Sequence, residues 1–144
     1  MAAMAREAMG QAQEVWSPQR RDDFGRAPGR PILLLHRCAA PRRILAVMER
    51  RLRRHLGVSV ISFHLEGLGG VIGGEPTAEM ANRLGDKLER LCLRHGVTEL
   101  DLIGHSRGGL LARHMVTHHP VGRRVRTLVA LGSPFSGAPL AILG

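Results

Sequence analysis

Residues 101–114 read DLIGHSRGGLLARH, a stretch that passes from an apolar run through a glycine-bracketed serine into a helix-like pattern. Gly104 to Gly108 match the pattern G-x-S-x-G, and Gly109 adds a further glycine. A strand, a sharp turn and a helix in that order raise the hydroxyl of the central serine above a sheet. The stretch therefore predicts Ser106 as a nucleophile. The alternative is a tight turn that only tolerates a serine.

Apolar runs and helical patterns alternate on both sides of this stretch. Runs typical of strands lie at 32–35, 58–63, 99–104 and 125–132, and helical spacing lies at 41–57, 77–95 and 110–119. Such alternation indicates right-handed βαβ units and a parallel sheet. The run at 32–35 is wholly apolar, and the runs carry apolar residues on both faces, as expected for strands covered by helices on both sides. The predicted fold class is α/β, a sheet of about four parallel strands with helices on both faces.

The chain of 144 residues is long enough for one domain with its own core. We predict a leader and linker over residues 1–30, because prolines break a polar segment there, and a domain over residues 31–144. In parallel sheets of this kind, ligands bind beyond the carboxyl ends of the strands, where the winding reverses. The loops after the predicted strands are therefore the expected functional edge.

The net charge of +9 comes almost entirely from arginine, since Lys87 is the only lysine. A basic surface attracts nucleic acid and other anions. However, the arginines are scattered, and the chain has no tyrosine, three phenylalanines and one tryptophan. Aromatic platforms for stacking nucleotide bases are therefore scarce, and we predict no binding of nucleic acid.

The two cysteines, Cys38 and Cys92, do not make a disulfide framework. The first residues lack the apolar core of a signal peptide, and no run approaches the roughly 18 apolar residues of a membrane span. We therefore expect no transmembrane segment and a cytoplasmic location.

Three segments together resemble the lipase and esterase branch of the α/β-hydrolases. They are PILLLHRCAAPRRILAVMERRLR at 31–53, LDLIGHSRGGLLARH at 100–114 and RTLVALGSPFSGAPLA at 126–141. They are similar to the strand that feeds the oxyanion loop, the nucleophile elbow, and the strand before a Gly-Thr-Pro-x-x-Gly stretch. The resemblance covers about residues 29–144. It implies the third to sixth strands of that fold, with the oxyanion strand beside the nucleophile strand.

The resemblance also implies a function and site residues. Ser106 is expected to attack an acyl ester or lipid from an elbow that includes Gly104, His105 and Gly108. The backbone amides of Arg107 and Cys38 are expected to hold the oxyanion.

One position departs from the family pattern. The family has a His-Gly pair where this chain has His36 and Arg37, which implies a differently shaped oxyanion hole. The acyl chain is expected to lie over apolar loop residues, namely Leu68, Val71, Phe135 and Leu140.

The partners of the serine are not evident in the sequence. In this fold the acid and the histidine follow the nucleophile, and the resemblance places both beyond residue 144. The chain is therefore expected to be the N-terminal part of a truncated hydrolase domain, weak or inactive as it stands. His64 and Glu66 are the only proximal pair that offers a base and an acid, and we do not expect them to replace the missing groups.

We predict no metal and no cofactor. His114 and His118 have the spacing of a metal pair, but no third ligand is evident. The glycines of EGLGGVIGG at 66–74 miss the spacing of a dinucleotide-binding loop.

A second hypothesis is a non-catalytic remnant or an interaction module. An incomplete sheet exposes the edge of the strand at 125–131, which favours self-association through that edge.

Overall fold

The computed structural model describes residues 23–36, 42–64 and 77–136. Within these ranges the strands form one parallel sheet in the order β2-β1-β3-β4. They are β1 (Ile32–His36), β2 (Val60–His64), β3 (Leu100–His105) and β4 (Val125–Leu131). The helices are α1 (Arg42–Leu56), α2 (Thr77–His95) and α3 (Arg107–His118), and a 3-10 helix (Pro120–Arg124) precedes β4. The predicted α/β fold class is confirmed.

The path of the chain across the sheet reverses at β1. The chain moves from β1 through α1 to β2 on one side, and then crosses through α2 to β3 on the other side of β1. Right-handed crossovers in opposite directions place α1 on one face and α2 with α3 on the other. The carboxyl ends of β1 and β3 are therefore the topological switch point, where sheets of this kind bind ligands.

Alternate strand residues supply the two layers of the core. On one face, Leu33 and Leu35 belong to a large buried cluster to which α2 and α3 contribute most of the helical side chains. On the other face, Ile32 and Leu34 pack with Met48 and Leu52 of α1 in a smaller cluster. The apolar sequence of β1 thus reflects burial on both sides, as predicted for a central parallel strand.

The outermost strand, β4, is covered mainly on one face, although the sheet as a whole has helices on both faces. Thr127 and Val129 are exposed, whereas Leu128 and Ala130 are half-buried against the α3 side. Val129 pairs in register with Ile103, so its side chain lies on the α1 face of the sheet. Since α1 connects β1 to β2, it packs at the far side of the sheet, and among the described residues this face of β4 is left bare.

The segment just before β1 packs against the domain. Phe24, within the segment that the sequence analysis assigned to the leader and linker, is completely buried in the large core cluster. The hydroxyl of Ser59 donates to the backbone oxygen of Asp23 at 2.7 Å, and the amide of Ala27 donates to that hydroxyl at 3.3 Å. These contacts attach residues 23–30 near the amino end of β2, at the opposite end of the strands from the switch point.

In the described parts of the chain, no helix combines the length and apolar character needed to cross a membrane.

Candidate active site

Ser106 lies between the last residue of β3 and the first residue of α3, at the switch point. Its backbone angles are φ 56° and ψ −125°. Among residues 23–36, 42–64 and 77–136 it is the one non-glycine residue with a positive φ. Such a conformation costs about 1–3 kcal/mol and persists only where the surroundings enforce it. The turn is therefore strained at the serine and not at one of the neighbouring glycines.

The glycines around Ser106 allow the start of α3 to approach the sheet closely. A Cβ atom on Gly104 would lie 2.6 Å from the backbone of Gly109, and one on Gly108 would lie 2.3 Å from the carbonyl oxygen of Leu35. A Cβ atom on Gly109 would lie 1.9 Å from the Oγ of Ser133. Each distance is too short for a side chain. The glycine pattern thus has a steric cause, because α3 begins in direct contact with β1, β3 and the segment after β4.

Backbone hydrogen bonds fix the turn on both sides. The amide of Ser106 donates to the carbonyl of Leu131 at the end of β4 at 2.9 Å, and the amide of Gly109 donates to the carbonyl of Ser106 at 3.1 Å. Serine commonly caps a helix through its side chain, but the hydroxyl of Ser106 makes no capping hydrogen bond. Its hydroxyl is therefore not used to start α3.

Two histidines meet beside this turn. His36 ends β1, His105 ends β3, and the two residues are in register. Their Nδ1 atoms lie 3.1 Å apart, and their ring centroids lie 5.1 Å apart. His36 is only 2% exposed. Sequence reasoning did not pair these residues, because they are 69 positions apart and only the strand order brings them together.

Several of the predicted site residues lie around Ser106. Gly104 and His105 precede it on β3, Arg107 is the first residue of α3, and Gly108 follows. The first amides of an α-helix point out of its N-terminus and carry its positive dipole end. Cys38 and Arg37, the other residues predicted for the oxyanion hole, lie outside the described residues. The catalytic roles of Ser106 and its neighbours stay predictions.

The predicted acyl-chain contacts are described only in part. Phe135 is exposed, and the guanidinium of Arg113 lies 5.3 Å from the centre of its ring. Leu68, Val71 and Leu140 lie outside the described residues.

The remaining titratable candidates serve other contacts. The rings of His114 and His118 contact each other on α3 in a tilted arrangement, with centroids 4.6 Å apart, and no group of three metal-ligating side chains occurs in the described ranges. Asp101 pairs with Arg30 at 3.2 Å, at the opposite end of β3 from Ser106. Glu66, the acid of the pair considered above, lies outside the described residues.

Cys92 is a buried thiol on α2. Burial raises the pKa of this thiol to about 11. The thiolate is the reactive form of cysteine, so Cys92 stays protonated and unreactive near neutral pH.

A cavity of about 390 Å³ lies beside the start of β2, away from Ser106. Asp23, Arg26, Arg53 and Ser59 are among its lining residues. Its position at the amino end of β2 separates it from the switch point, so it does not contribute to the site around Ser106.

Ser133 is a contact of the turn that the sequence did not single out. Its hydroxyl is buried, with no hydrogen-bond partner among the described residues, and faces Gly109 at the start of α3. The signal for it in the sequence was only its place in GSPFSG, directly after β4.

Comparisons with known proteins agree with this architecture. The family model of a PGAP1-like alpha/beta domain matches residues 78–142, somewhat under half of the chain. That match contains α2, β3, the turn at Ser106, α3 and β4. No curated protein matches the chain.

Solved structures share the fold at low sequence identity. A mature lipase of Bacillus licheniformis is 20% identical with a TM-score of 0.63, over 79% of this chain and 44% of the lipase. A carboxylesterase structure from the thaumarchaeon Nitrososphaera gargenis is 23% identical with a TM-score of 0.51, over 74% and 38%. A Listeria innocua gene product is 20% identical with a TM-score of 0.56, over 74% and 52%. The chain thus matches about half or less of the length of these proteins.

Proposed function

We propose that the chain carries the nucleophile of a serine ester hydrolase of the lipase or esterase type, a proposal supported by its match to a PGAP1-like alpha/beta domain and by the fold that it shares with a lipase. One observation carries the proposal. Ser106 holds a positive φ of 56° at the switch point, and its hydroxyl is not used as a helix cap. A strained serine in a turn that merely tolerates it has no physical reason to persist, whereas a nucleophile elbow requires the strain.

The proposed reaction begins with attack of the Ser106 Oγ on the carbonyl carbon of an acyl ester. The hydroxyl proton passes to a general base, and the alcohol leaves with a proton as the tetrahedral intermediate collapses to an acyl-serine. Water then attacks the acyl-serine and releases the carboxylic acid, and Ser106 regains its proton.

The developing oxyanion needs donors aimed at the carbonyl oxygen. We assign this role to the backbone amide of Arg107 and to an amide in the loop after His36, at Cys38, with Arg37 shaping the loop. The position of Arg107 as the first residue of α3 supports the assignment, because helix N-termini present amides and a positive dipole end.

The substrate class that we propose is an acyl ester or a lipid. Phe135, exposed in the segment after β4, supports an apolar surface near the carboxyl edge of the sheet. No metal or cofactor takes part in the proposed reaction. We also propose the cytoplasmic location and the lack of nucleic-acid binding that the sequence predicted.

A general base and its acid are required for full activity, and we do not assign either to a described residue. A serine hydrolase stripped of triad members still keeps about 10³–10⁴-fold acceleration over water through its oxyanion hole and binding. We therefore expect slow turnover by this chain.

The test is covalent labelling with a fluorophosphonate, together with hydrolysis of p-nitrophenyl acetate. We expect labelling at Ser106, located by mass spectrometry, and loss of both labelling and hydrolysis in Ser106→Ala. Ser136→Ala is a matched control, because Ser136 is an exposed serine near the same edge of the sheet. Equal rates for the chain and Ser106→Ala would remove the proposed function.

A specific observation favours the second candidate, an interaction module. The bare α1 face of β4 and its outer edge are surfaces on which another strand or another copy can pack. An unreactive Ser106 in a chain that self-associates through β4 would favour this function over catalysis.

A further inference from the structure

The contact between His36 and His105 joins the two strand ends on which the proposed function depends. His105 directly precedes Ser106, and His36 is the last residue of β1, directly before the segment assigned to the oxyanion hole. The two residues are in register, and their Nδ1 atoms are 3.1 Å apart, within hydrogen-bond range. In addition to the backbone hydrogen bonds between β1 and β3, this contact joins the carboxyl ends of the two strands through their side chains.

The pairing of identical nitrogen atoms restricts the protons of the two rings. A neutral imidazole carries one proton, either on Nδ1 or on Nε2. An Nδ1–Nδ1 hydrogen bond therefore needs the Nδ1–H form of one ring and a bare Nδ1 on the other. One added proton is tolerated on the Nε2 of the donor ring, whereas a proton added to the acceptor ring goes to its Nδ1 and breaks the bond. The hydrogen bond thus exists only while one of the two Nδ1 atoms carries a proton and the other does not.

The strained backbone of Ser106 depends on neighbouring contacts, and the His36–His105 bond is one of them. A residue with a positive φ keeps its conformation only if several contacts enforce it. Ser106 is held after the turn by the Gly109 amide and across the sheet by the Leu131 carbonyl. The His36–His105 bond acts on the residue directly before the turn, and it acts from β1, the side on which the oxyanion loop begins.

The surroundings of the pair contain further charged and titratable groups. On β2, His64 is in register with His36, and on α3, Arg107 lies two residues after His105. On α1, the carboxylate of Glu49 accepts from Ser62 at 2.7 Å and pairs with Arg53 at 3.0 Å. On β4, the register partner of His105 is Leu131, which does not titrate. His36 is buried, which disfavours a second positive charge in the pair.

We propose that His36 and His105 are positioning residues whose shared-proton hydrogen bond holds the nucleophile turn in register with the oxyanion side of the site. The proposal rests on the proposed function, since positioning matters to a reaction only if Ser106 reacts. Neither histidine touches the substrate in this role. The bond sets the geometry of Ser106, and acidification that protonates both rings releases it.

The bond itself is tested by nuclear magnetic resonance on the ¹⁵N-labelled chain. Near neutral pH we expect one ring as the Nδ1–H form, the other with a bare Nδ1, and a scalar coupling between the two Nδ1 nuclei across the bond. Two rings that both carry their proton on Nε2, with no coupling, would overturn the proposal, whatever the reactivity of Ser106.

The positioning role is tested by the rate and pH profile of fluorophosphonate labelling. His105→Leu removes the bond, and we expect labelling to slow about 10- to 100-fold, the scale of a small misplacement at a reacting atom. His105→Asn keeps a donor and an acceptor near the position of Nδ1 but does not titrate. We expect His105→Asn to restore most of the labelling rate. We also expect its labelling rate not to fall on acidification, in contrast to that of the unaltered chain. His118→Asn, an exposed histidine at the end of α3, is the matched control and should change neither.

A structural readout separates this proposal from the proposed function. If the unaltered chain is not labelled at Ser106, the proposed function fails, and hydrogen exchange of the Ser106 amide then tests the positioning role. That amide donates to Leu131 only while the turn keeps its geometry. We expect faster exchange in His105→Leu than in His105→Asn. An unchanged labelling rate in a folded His105→Leu, or unchanged exchange, would overturn the positioning role. If His105→Leu does not fold, the Nδ1 coupling and the pH profile of His105→Asn decide.

Discussion

Gly108 and Gly109 are neighbours in the sequence, but a side chain on each would meet a different kind of atom. At Gly108 the obstacle is the backbone carbonyl of Leu35 in a central strand, which has no room to move. At Gly109 it is the hydroxyl of Ser133, a small side chain after β4. The two glycines therefore differ in whether a second substitution can relieve the clash.

We predict that Gly108→Ala and Gly109→Ala each destabilise the chain by about 1–3 kcal/mol, the cost of overpacking. This outcome opposes helix propensity, which favours alanine over glycine by about 1 kcal/mol. In the Ser133→Gly background, Gly109→Ala should recover most of its loss, because both the Oγ and the Cβ of Ser133 are gone. Gly108→Ala should not recover. Urea unfolding of the three single and two double variants measures the coupling, and equal coupling for both glycines would contradict the steric account.

At the scale of elements, α2 meets the segment after α3 at a third glycine. A Cβ on Gly85 would lie 2.6 Å from the ring of His119. That ring is held by Asp86 through Nε2 at 3.2 Å, and its Nδ1 accepts from the amide of Val121 at 3.2 Å. The ring therefore cannot move without losing hydrogen bonds that start the 3-10 helix before β4.

We predict that Gly85→Ala lowers the free energy of unfolding by about 1–3 kcal/mol, through displacement of this ring. In the His119→Ala background the same change should instead be neutral or stabilising, because only the gain in helix propensity of about 1 kcal/mol remains. Thermal or urea unfolding of the unaltered chain, the two single variants and the double variant is the measurement. A loss of equal size in both backgrounds would show that the ring is not the obstacle.

The same two elements are joined by an ion pair. Arg124, at the end of the 3-10 helix, donates from Nε to both carboxylate oxygens of Glu89 at 3.0 Å and from Nη1 to the carbonyl of Val97 at 3.0 Å. The hydrogen bond from Arg124 lowers the pKa of Glu89 below its ordinary value of 4.5. A carboxyl with a lowered pKa stabilises the folded state above its unfolded pKa, and this stability is lost as the pH falls through the folded pKa.

We predict that Glu89→Gln costs about 1 kcal/mol at neutral pH, and that the difference from the unaltered chain closes as the pH falls below 4.5. Urea unfolding at both pH values measures it. Glu99→Gln is a matched control on the Arg126 pair, whose side chains are more exposed, so we expect a smaller change. A Glu89→Gln difference that persists in acid would point to lost packing and not to the charge.

The order and type of these elements were predictable from the sequence, and their ends less so. The wholly apolar run at 32–35 predicted a central strand, because burial on both faces leaves little room for polar residues. β3 is also central, but it carries Asp101, which is only partly buried. The third helix was predicted to start at residue 110 but starts at Arg107. The prediction missed this start because Gly108 and Gly109 have poor helix propensity. They are present because of close contacts that the sequence does not show. Phe24 was missed for a similar reason, since one apolar residue in a polar segment has no periodicity.

At the scale of the whole molecule, the sequence predicted the switch point but not what joins its two sides. The glycine pattern placed Ser106 between a strand and a helix from local information alone. The pair of His36 and His105 depends on strand order and on register, which are set by the packing of α1, α2 and α3 against the sheet. The exposure of one face of β4 is likewise a property of the assembled sheet, since it depends on where α1 packs, although Arg126 and Thr127 interrupt the apolar run at 125–131.

That bare face leads to a prediction about association. Val129 is 40% exposed on an edge strand, beside the exposed Thr127, and edge strands pair readily with other chains. We predict that the chain self-associates as its concentration rises, and that Val129→Lys shifts it toward the monomer by placing a charge at the edge. Val47→Lys is the matched control, because Val47 is 43% exposed on α1, away from β4. Sedimentation velocity over a range of concentrations distinguishes the two lysine variants. A chain that is monomeric throughout, or equal effects of the two lysines, would exclude β4 as the contact. A loss of association in Val129→Lys alone would assign the contact to this strand.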